Sequence, residues 1–442
     1  MTKVKVLGRV LLVELSRTSV VGVALGFLAV AGALLTDMDR WSGLWMTVVL
    51  AHYASVGGLW PLALACGAWF GRREAAARMT DLVAATPRPK PARLAARLVT
   101  IVGCFAGGYA AMGVGMLPGV WSNASYQPPG WYWPGLVGTV AVAGAALLGF
   151  GVGQVAPSRL TAPLLCVVAV AVTVGLRAVG PGPVPLLLPG YLGETDRYSR
   201  LDPGAVAGQL VLFGAVAVTG LVLSLADTRR VRRLAAVPTA LALVVALVVV
   251  PSDGQGVRPD PQASALVCAD GTPRVCVVRL YQGALPELVG PAREALRRLG
   301  RLPDAPTAVV QVVDERDDTA ERPADVVPVE IVMFGPTSIA TGGATIEAML
   351  LDGAGTTACG PAADDLAGWD RLDAARSAAG LWLRGADPTP DDHVSPARRE
   401  LTEAALTTLR GMPEQTQTAR VAALRQAALQ CRPDLYEILT AA

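Results

Sequence analysis

Residues Gly71 to Arg97, GRREAAARMTDLVAATPRPKPARLAAR, are the longest polar interruption in a half of the chain that is otherwise almost continuously apolar. Arg72, Arg73, Arg78, Arg88, Lys90, Arg93 and Arg97 stand there against only Glu74 and Asp81. By the positive-inside rule, a basic loop of this length between two apolar runs lies on the cytoplasmic side of a membrane. Its first half, Arg72 to Ala84, contains no Gly or Pro and many good helix formers, which predicts a short helix. Pro87, Pro89 and Pro91 then forbid continuation and force an extended exit, because each lacks an N–H donor and restricts its predecessor. The plain alternative is a basic loop that only fixes topology. Topology needs the charge but neither the helix nor the proline elbow, so the stretch reads as a surface that touches something in the cytoplasm.

Working outward, the 442 residues are 52% hydrophobic and only 17% charged, with a mean hydropathy of +0.44. That surplus of apolar residues is more than a soluble core uses and points to lipid-facing helices. Charge divides the chain. From Pro251 onward there are 18 Arg against 27 Asp/Glu, a net of −9, and before it 20 basic against 9 acidic residues, a net of +11. The basic residues cluster at the ends of apolar runs, where topology explains them, so they are no nucleic-acid footprint. Asp37, rather than a small-x-small cleavage site, follows the first apolar run, and no cleavable signal is expected.

Seven spans are expected, at 18–36, 46–69, 98–117, 135–156, 161–177, 205–226 and 234–251. Residues 1–17 include VKVLGRVLLVELS, which is too short and too charged to span and suits an interfacial amphipathic helix or an extension of the first span. Lys3, Lys5, Arg9 and Arg17 put the N-terminus inside; the 71–97 loop, Arg159, and Arg229, Arg230, Arg232 and Arg233 then fall on the same side. The odd number of spans sends residues 252–442 outside. Trp41, Trp45, Trp121, Trp131, Tyr132 and Trp133 sit where an outer aromatic belt belongs.

The outer loop 178–204 holds an apolar Val184–Leu188 segment bracketed by Pro and Gly, readable as a short re-entrant helix or as an interface-hugging loop. Small residues for close helix packing are most conspicuous in the third span, at Gly103, Gly107, Gly108, Gly113 and Gly115. Charge inside the spans is almost absent, which argues against a proton relay or a voltage sensor. His52, the one membrane histidine, is expected to be buried and hydrogen-bonded.

Residues 252–264 read as a polar linker, and 265–442 as a separate soluble α+β domain. Val275–Leu280, Val309–Val313 and Val326–Phe334 carry strand patterns, Pro291–Leu299 a helix stopped by Gly300, and 361–383, 395–411 and 415–430 helical periodicity. Of seven cysteines, Cys66, Cys104 and Cys166 lie in spans, as small apolar packers. Cys268, Cys276, Cys359 and Cys431 lie in the domain that topology places in an oxidising compartment, which favours two disulfides. Cys268–Cys276 with Cys359–Cys431 is the preferred pairing of the three, since the first closes a short loop around the turn-forming Asp270–Gly271. A zinc site is the rival, but the spacings match no finger and His393 is the only nearby histidine.

No P-loop, H-E-x-x-H or G-x-S-x-G motif occurs. Asp317–Asp318 and Asp391–Asp392 sit in polar loops and read as solvated surface. No catalytic or metal site is expected, and no cofactor in this chain.

The membrane half, residues 1–226, resembles the ABC-2 type permeases, the membrane subunits of ABC exporters. The inner amphipathic segment, the first hairpin of spans, and the run Arg72-Arg73-Glu74, Asp81-Leu82 and Thr86-Pro87 carry the resemblance. In that family this run is a coupling helix docking on a separate ATPase. The resemblance implies Glu74 and Asp81 as contact residues, with Arg72, Arg73, Arg78, Leu82, Thr86 and Pro87 completing the site. Residues 18–226 would be the six-span permease domain, 227–251 a seventh span and 265–442 an extracytoplasmic domain, the last two being additions to the simplest family pattern. That tail looks similar to uncharacterised tails on actinobacterial permease-like proteins.

The expectation is thus an α-helical polytopic membrane protein of about seven transmembrane helices with a C-terminal soluble α+β domain. It would sit in a bacterial plasma membrane, N-terminus cytoplasmic, as the permease subunit of an exporter. Its partners would be an ABC ATPase that supplies the ATP, a second permease copy or paired subunit, and membrane lipid, but no nucleic acid. The alternative is a membrane-anchored extracytoplasmic binding or sensor module; a membrane enzyme acting on lipid or cell-wall precursors lacks any catalytic constellation.

Overall fold

The computed structural model describes residues 43–79, 89–180, 182–312, 323–331, 346–357, 359, 365–388 and 394–441, together with Gly26, Ala29 and Ala33. The interfacial segment 1–17 and most of the expected first span lie outside the described residues. The chain divides into two compact units, Met1–Asp260 and Pro261–Ala442.

In the first unit five helices are long and apolar enough to cross a membrane: α1 (Trp45–Gly71, turned once at Ser55), α2 (Lys90–Asn123), α3 (Trp133–Val155), α5 (Pro203–Leu225) and α6 (Arg229–Val249). Between them α4 (Thr161–Arg177) is apolar but only 17 residues long. Among the described residues, six of the expected runs are therefore helical, five of them of spanning length.

Two parallel helices, α1 and α3, hold the unit together through glycine. A Cβ added at Gly67 would stand 2.1 Å from the Ala146 carbonyl oxygen, and one at Gly71 2.2 Å from that of Phe150. The contact is reciprocal, with Gly149 at 2.0 Å from Leu64 O and Gly153 at 2.2 Å from Ala68 O. Two Gly-x-x-x-Gly pairs face each other, so the backbones touch directly, which is how helices associate where lipid removes the hydrophobic drive between them. On its other side α3 meets α5, where Gly144, Gly151 and Gly220 face backbone atoms as closely as 2.9, 2.6 and 2.3 Å. The glycines of the third expected span behave otherwise. Gly103, Gly107 and Gly115 have open space at Cβ, whereas Gly113 approaches the His52 ring at 2.6 Å. Counting glycines did not separate a packed face from a bare one.

Several polar side chains inside this unit are paired, whereas the buried indole N–H groups of Trp45 and Trp60 have no partner among the described residues. His52 is buried, its Nε2 lies 3.2 Å from Tyr109 O, and its ring stacks on Tyr109 at 4.2 Å. Tyr53 donates to Gln209 Oε1 at 2.7 Å, and Gln209 Nε2 donates to the carbonyls of Leu186 and Tyr191 at 2.7 and 3.0 Å. Those bonds draw the 178–204 loop onto the bundle. Within its Val184–Leu188 segment, Val184 is exposed and Pro185–Leu187 form a buried 3₁₀ turn whose Leu186 and Leu187 join the helix core. At the same end Trp45 meets Trp121 and Trp131 edge-on at 5.5 and 5.1 Å; Trp45 is buried in this cluster, while Trp121 is exposed.

The expected linker is structured in its first part. Residues β2 (Val257–Pro259) pair antiparallel with β1 (Ser199–Leu201). Asp260 accepts from Tyr126 at 2.6 Å, and Arg258 pairs with Asp202, the residue that caps α5.

The second unit is built on a four-stranded sheet of order β3 (Leu266–Cys268), β4 (Arg274–Val278), β5 (Ala308–Gln311) and β6 (Val326–Val329). The first pair is antiparallel and the other two are parallel. Val275, Cys276, Val277 and Val278 are all buried, as a central strand covered on both faces requires. α7 (Leu285–Leu299) makes the β4-to-β5 crossover; its buried residues Leu285, Leu288, Ala292, Ala295, Leu296 and Leu299 recur at helical spacing, and Gly300 follows its end. The short α8 (Ile346–Leu351) precedes α9 (Leu366–Arg384), α10 (Pro396–Arg410), α11 (Glu414–Leu429) and α12 (Leu435–Thr440). Strand β3 and helices α8 and α12 had no counterpart in the sequence reading; each has only three to six residues, too few for a period to register.

Two buried arginines clamp the turn that follows α8. Gly353, Ala354 and Gly355 are consecutive left-handed residues with φ of 58°, 55° and 76°. Arg376 pairs with Asp352 at 2.9 Å and donates to Thr356 O at 2.7 Å. Arg425, only 1% exposed, donates to Ala354 O, Gly355 O and Ala324 O at 2.7, 3.1 and 2.6 Å. Burial draws the Arg425 pKa downward, and these charge-assisted bonds offset the desolvation.

Two predictions test this packing. Gly149→Ala should lower stability by about 1–3 kcal/mol, because the new methyl overlaps a carbonyl, whereas Gly103→Ala should stay within about 0.5 kcal/mol; thermal unfolding in detergent compares them. Arg425→Ala should expose the second unit to limited proteolysis by leaving three buried carbonyls without donors, at about 1–3 kcal/mol each. Arg425→Lys should rescue it only in part, since an ammonium lacks the guanidinium fork.

Candidate functional site

The candidate site is the connection between α1 and α2. Helix Arg73–Ala76 is one turn long and ends well short of Ala84. The stop is a Schellman motif: Met79 N–H donates to Glu74 O and Arg78 N–H to Ala75 O, both at 3.1 Å, with Arg78 left-handed at φ 53°. The position usually taken by glycine is arginine here, so residue type hid the stop. Residues 80–88, with Asp81, Leu82, Thr86 and Pro87, lie outside the described residues.

Each described member of the expected site has an identifiable setting. Arg72 is buried, its guanidinium stacked 3.8 Å above the Trp69 ring in a cation–π contact. Arg73 lies 5.2 Å from the Phe70 ring. Glu74 is half-buried and forms an ion pair with Arg97 of α2. Arg78 is exposed. The structure thus brings Glu74 and Arg97 together across the connection and leaves Arg78 presented to solvent.

Arg97 and Lys90, read in the sequence only as charges of the basic stretch, and Asp227, which sequence reading passed over, complete the geometry. Arg97 returns the chain to Glu74. Lys90, at the start of α2, donates to Asp227 Oδ1 at 2.9 Å and to Ala226 O at 3.2 Å, tying the α1–α2 connection to the α5–α6 connection. Lys90 holds the exposed Asp227 carboxyl below the usual carboxylate range, first by its hydrogen bond and then by its charge. A signal was available: Asp227 is the sole acid beside Arg229, Arg230, Arg232 and Arg233. These contacts put both basic connections at one end of the bundle, opposite the tryptophan cluster.

Chemically, this end offers guanidinium groups and two internally paired carboxylates, Glu74 and Asp227. Among the described residues no three His, Cys, Asp or Glu side chains gather into a metal-holding group.

In the second unit the cysteines are joined as Cys268–Cys276 and Cys359–Cys431, with S–S distances of 2.06 and 2.11 Å. The first is a cross-strand bond between β3 and β4. Ala269 N–H donates to Val275 O, which makes Cys268 and Cys276 a non-hydrogen-bonded pair, the closer kind, with Cα atoms 4.0 Å apart. The second joins the segment after the clamped turn to the end of α11. The zinc alternative is set aside by these bonds, which use all four sulfurs. Cys66, Cys104 and Cys166 are free. Denatured protein should therefore take up three maleimides before reduction and seven after it, as read by intact mass; a count of seven without reductant would contradict both disulfides.

No family model matches the chain, and no curated protein or solved structure resembles it closely enough to count as a match.

Proposed function

We propose that the chain is the membrane-spanning permease subunit of an ABC-type exporter, driven by a separate ATPase that docks on residues 71–91. In this reading the bundle has seven spans, counting 18–36 and α4. The N-terminus and the basic end are cytoplasmic, and the second unit is extracytoplasmic. The partner hydrolyses ATP, and a second copy or a paired permease completes the pathway.

The observation that carries the reading is the tethering of the α1–α2 connection. Glu74 is paired to Arg97 and Lys90 to Asp227, so a push on this connection reaches α2 and the α5–α6 connection. The same connection continues directly into α1, whose backbone touches α3 through four glycines. A passive topological loop needs none of these ties. The charge it presents is basic, so the docking face of the ATPase is expected to be acidic. The rival reading, an anchored external binding module, draws on the compact, disulfide-bonded second unit; it leaves the tethered basic end without a role.

Purification of the tagged chain from mild detergent decides between them. The permease reading expects a P-loop ATPase to co-purify with wild type and to be lost with Asp81→Arg and Arg78→Glu. Glu74→Arg alone would also break the pair with Arg97, so Glu74→Arg with Arg97→Glu is the control for internal tethering: recovery of the ATPase there assigns Glu74 to tethering rather than to docking. Absence of an ATPase from folded, membrane-inserted wild type would favour the external module.

A further inference from the structure

Helix α6 carries a feature that the permease reading does not use. Along one face, at spacings of three and four residues, stand Arg230, Arg233, Val237, Leu241, Val244 and Val248. Both arginines are exposed, and the four apolar residues are 45%, 63%, 62% and 79% exposed. Ala235 and Ala236, between the two helical stretches, keep right-handed helical dihedrals, so the face runs on without a break. From Arg233 to Val244 it extends about 16 Å, half of a hydrocarbon core about 30 Å thick. It thus has a cationic head and an apolar ridge one leaflet long.

The arginines are not explained by the protein around them. Among the described residues neither forms an ion pair, and the adjacent carboxylate, Asp227, is held by Lys90. Helix stability does not call for them, because cations are disfavoured in a first turn. Side orientation calls for positive charge at this end, but not for two arginines in line with an exposed apolar ridge.

We propose that this face of α6 is a binding surface for an anionic phospholipid in the leaflet at the basic end. The phosphate bridges Arg230 and Arg233, whose guanidinium forks match its oxygens, and an acyl chain lies along Val237, Leu241 and Val244. Charge complementarity selects this occupant. A second copy of the chain would bring the same arginines against each other in a symmetric contact. The assignment is independent of the permease reading, since it rests on α6 alone.

Native mass spectrometry of the full chain, released from micelles containing phosphatidylglycerol or phosphatidylcholine, tests it. Wild type should retain phosphatidylglycerol in preference to phosphatidylcholine. Arg230→Gln with Arg233→Gln should weaken phosphatidylglycerol retention roughly thirtyfold, at about fivefold per arginine, and leave phosphatidylcholine unchanged. Arg230→Lys with Arg233→Lys, which keeps the charge, should retain most of the preference. Equal retention of the two lipids by wild type would overturn the proposal even if the glutamine variant failed to fold. So would a glutamine variant that binds phosphatidylglycerol as wild type does, or one that changes only the fraction of dimer.

Discussion

The first unit depends on the direct backbone contact between α1 and α3. Gly67, Gly71, Gly149 and Gly153 each place a bare Cα against a carbonyl of the opposite helix. In a bilayer, lipid tails solvate leucine as well as another helix does, so close van der Waals approach must supply the association that water supplies elsewhere. Glycine permits that approach at the cost of chain entropy. α3 then acts as the central post, with α1 on one side and α5 on the other. The ends of the bundle acquire their character from this arrangement: basic connections gather at one end, and the tryptophan cluster, the buried 185–187 turn and the β1–β2 pair gather at the other.

The two units stabilise themselves by different chemistry. Where the first has glycine and a few satisfied polar groups, the second has apolar strands, cross-links and buried guanidinium groups. Arg425 and Arg376 converge on residues 352–356, where three left-handed residues in a row could not be held by helix or sheet hydrogen bonds. Cys359–Cys431 joins the same neighbourhood to the end of α11. Among the described residues the hydrogen bonds of the second unit's most buried arginine, Arg425, go to backbone carbonyls and none to a carboxylate.

Long elements were legible in the sequence because their periods repeat. The described spanning helices, strands β4 and β5 and the three late helices of the second unit fall close to where apolar patterning put them. Helix α7 begins at Leu285 rather than at Pro291, which it contains, and the cysteine pairing followed from a short loop with Asp-Gly at its turn. What escaped was set by contacts between residues distant in sequence. Gly67 of the second expected span and Gly149 and Gly153 of the fourth pack on backbone, whereas Gly103, Gly107 and Gly115 of the third face open space, although composition favours the third. The 72–84 helix stops at Arg78 because the backbone turns left-handed there, at a residue type that does not announce it. Residues 252–260 read as linker by composition, yet β2 pairs with a strand whose sequence, Ser-Arg-Leu, carries no pattern. At the candidate site, Glu74 was legible as a charge in a suggestive place, but its pairing with Arg97 and the Lys90–Asp227 tie were not.

Placement of the basic end and of the second unit on opposite sides of a membrane is the claim on which the functional reading stands. Single cysteines at the exposed positions Ala77, Glu194 and Glu403, in a background where Cys66, Cys104 and Cys166 are serine, test it with a membrane-impermeant maleimide on intact cells. The account expects labelling at 194 and 403 on intact cells, and at 77 only after permeabilisation. Labelling at 77 from outside, or at 403 only from within, would contradict it.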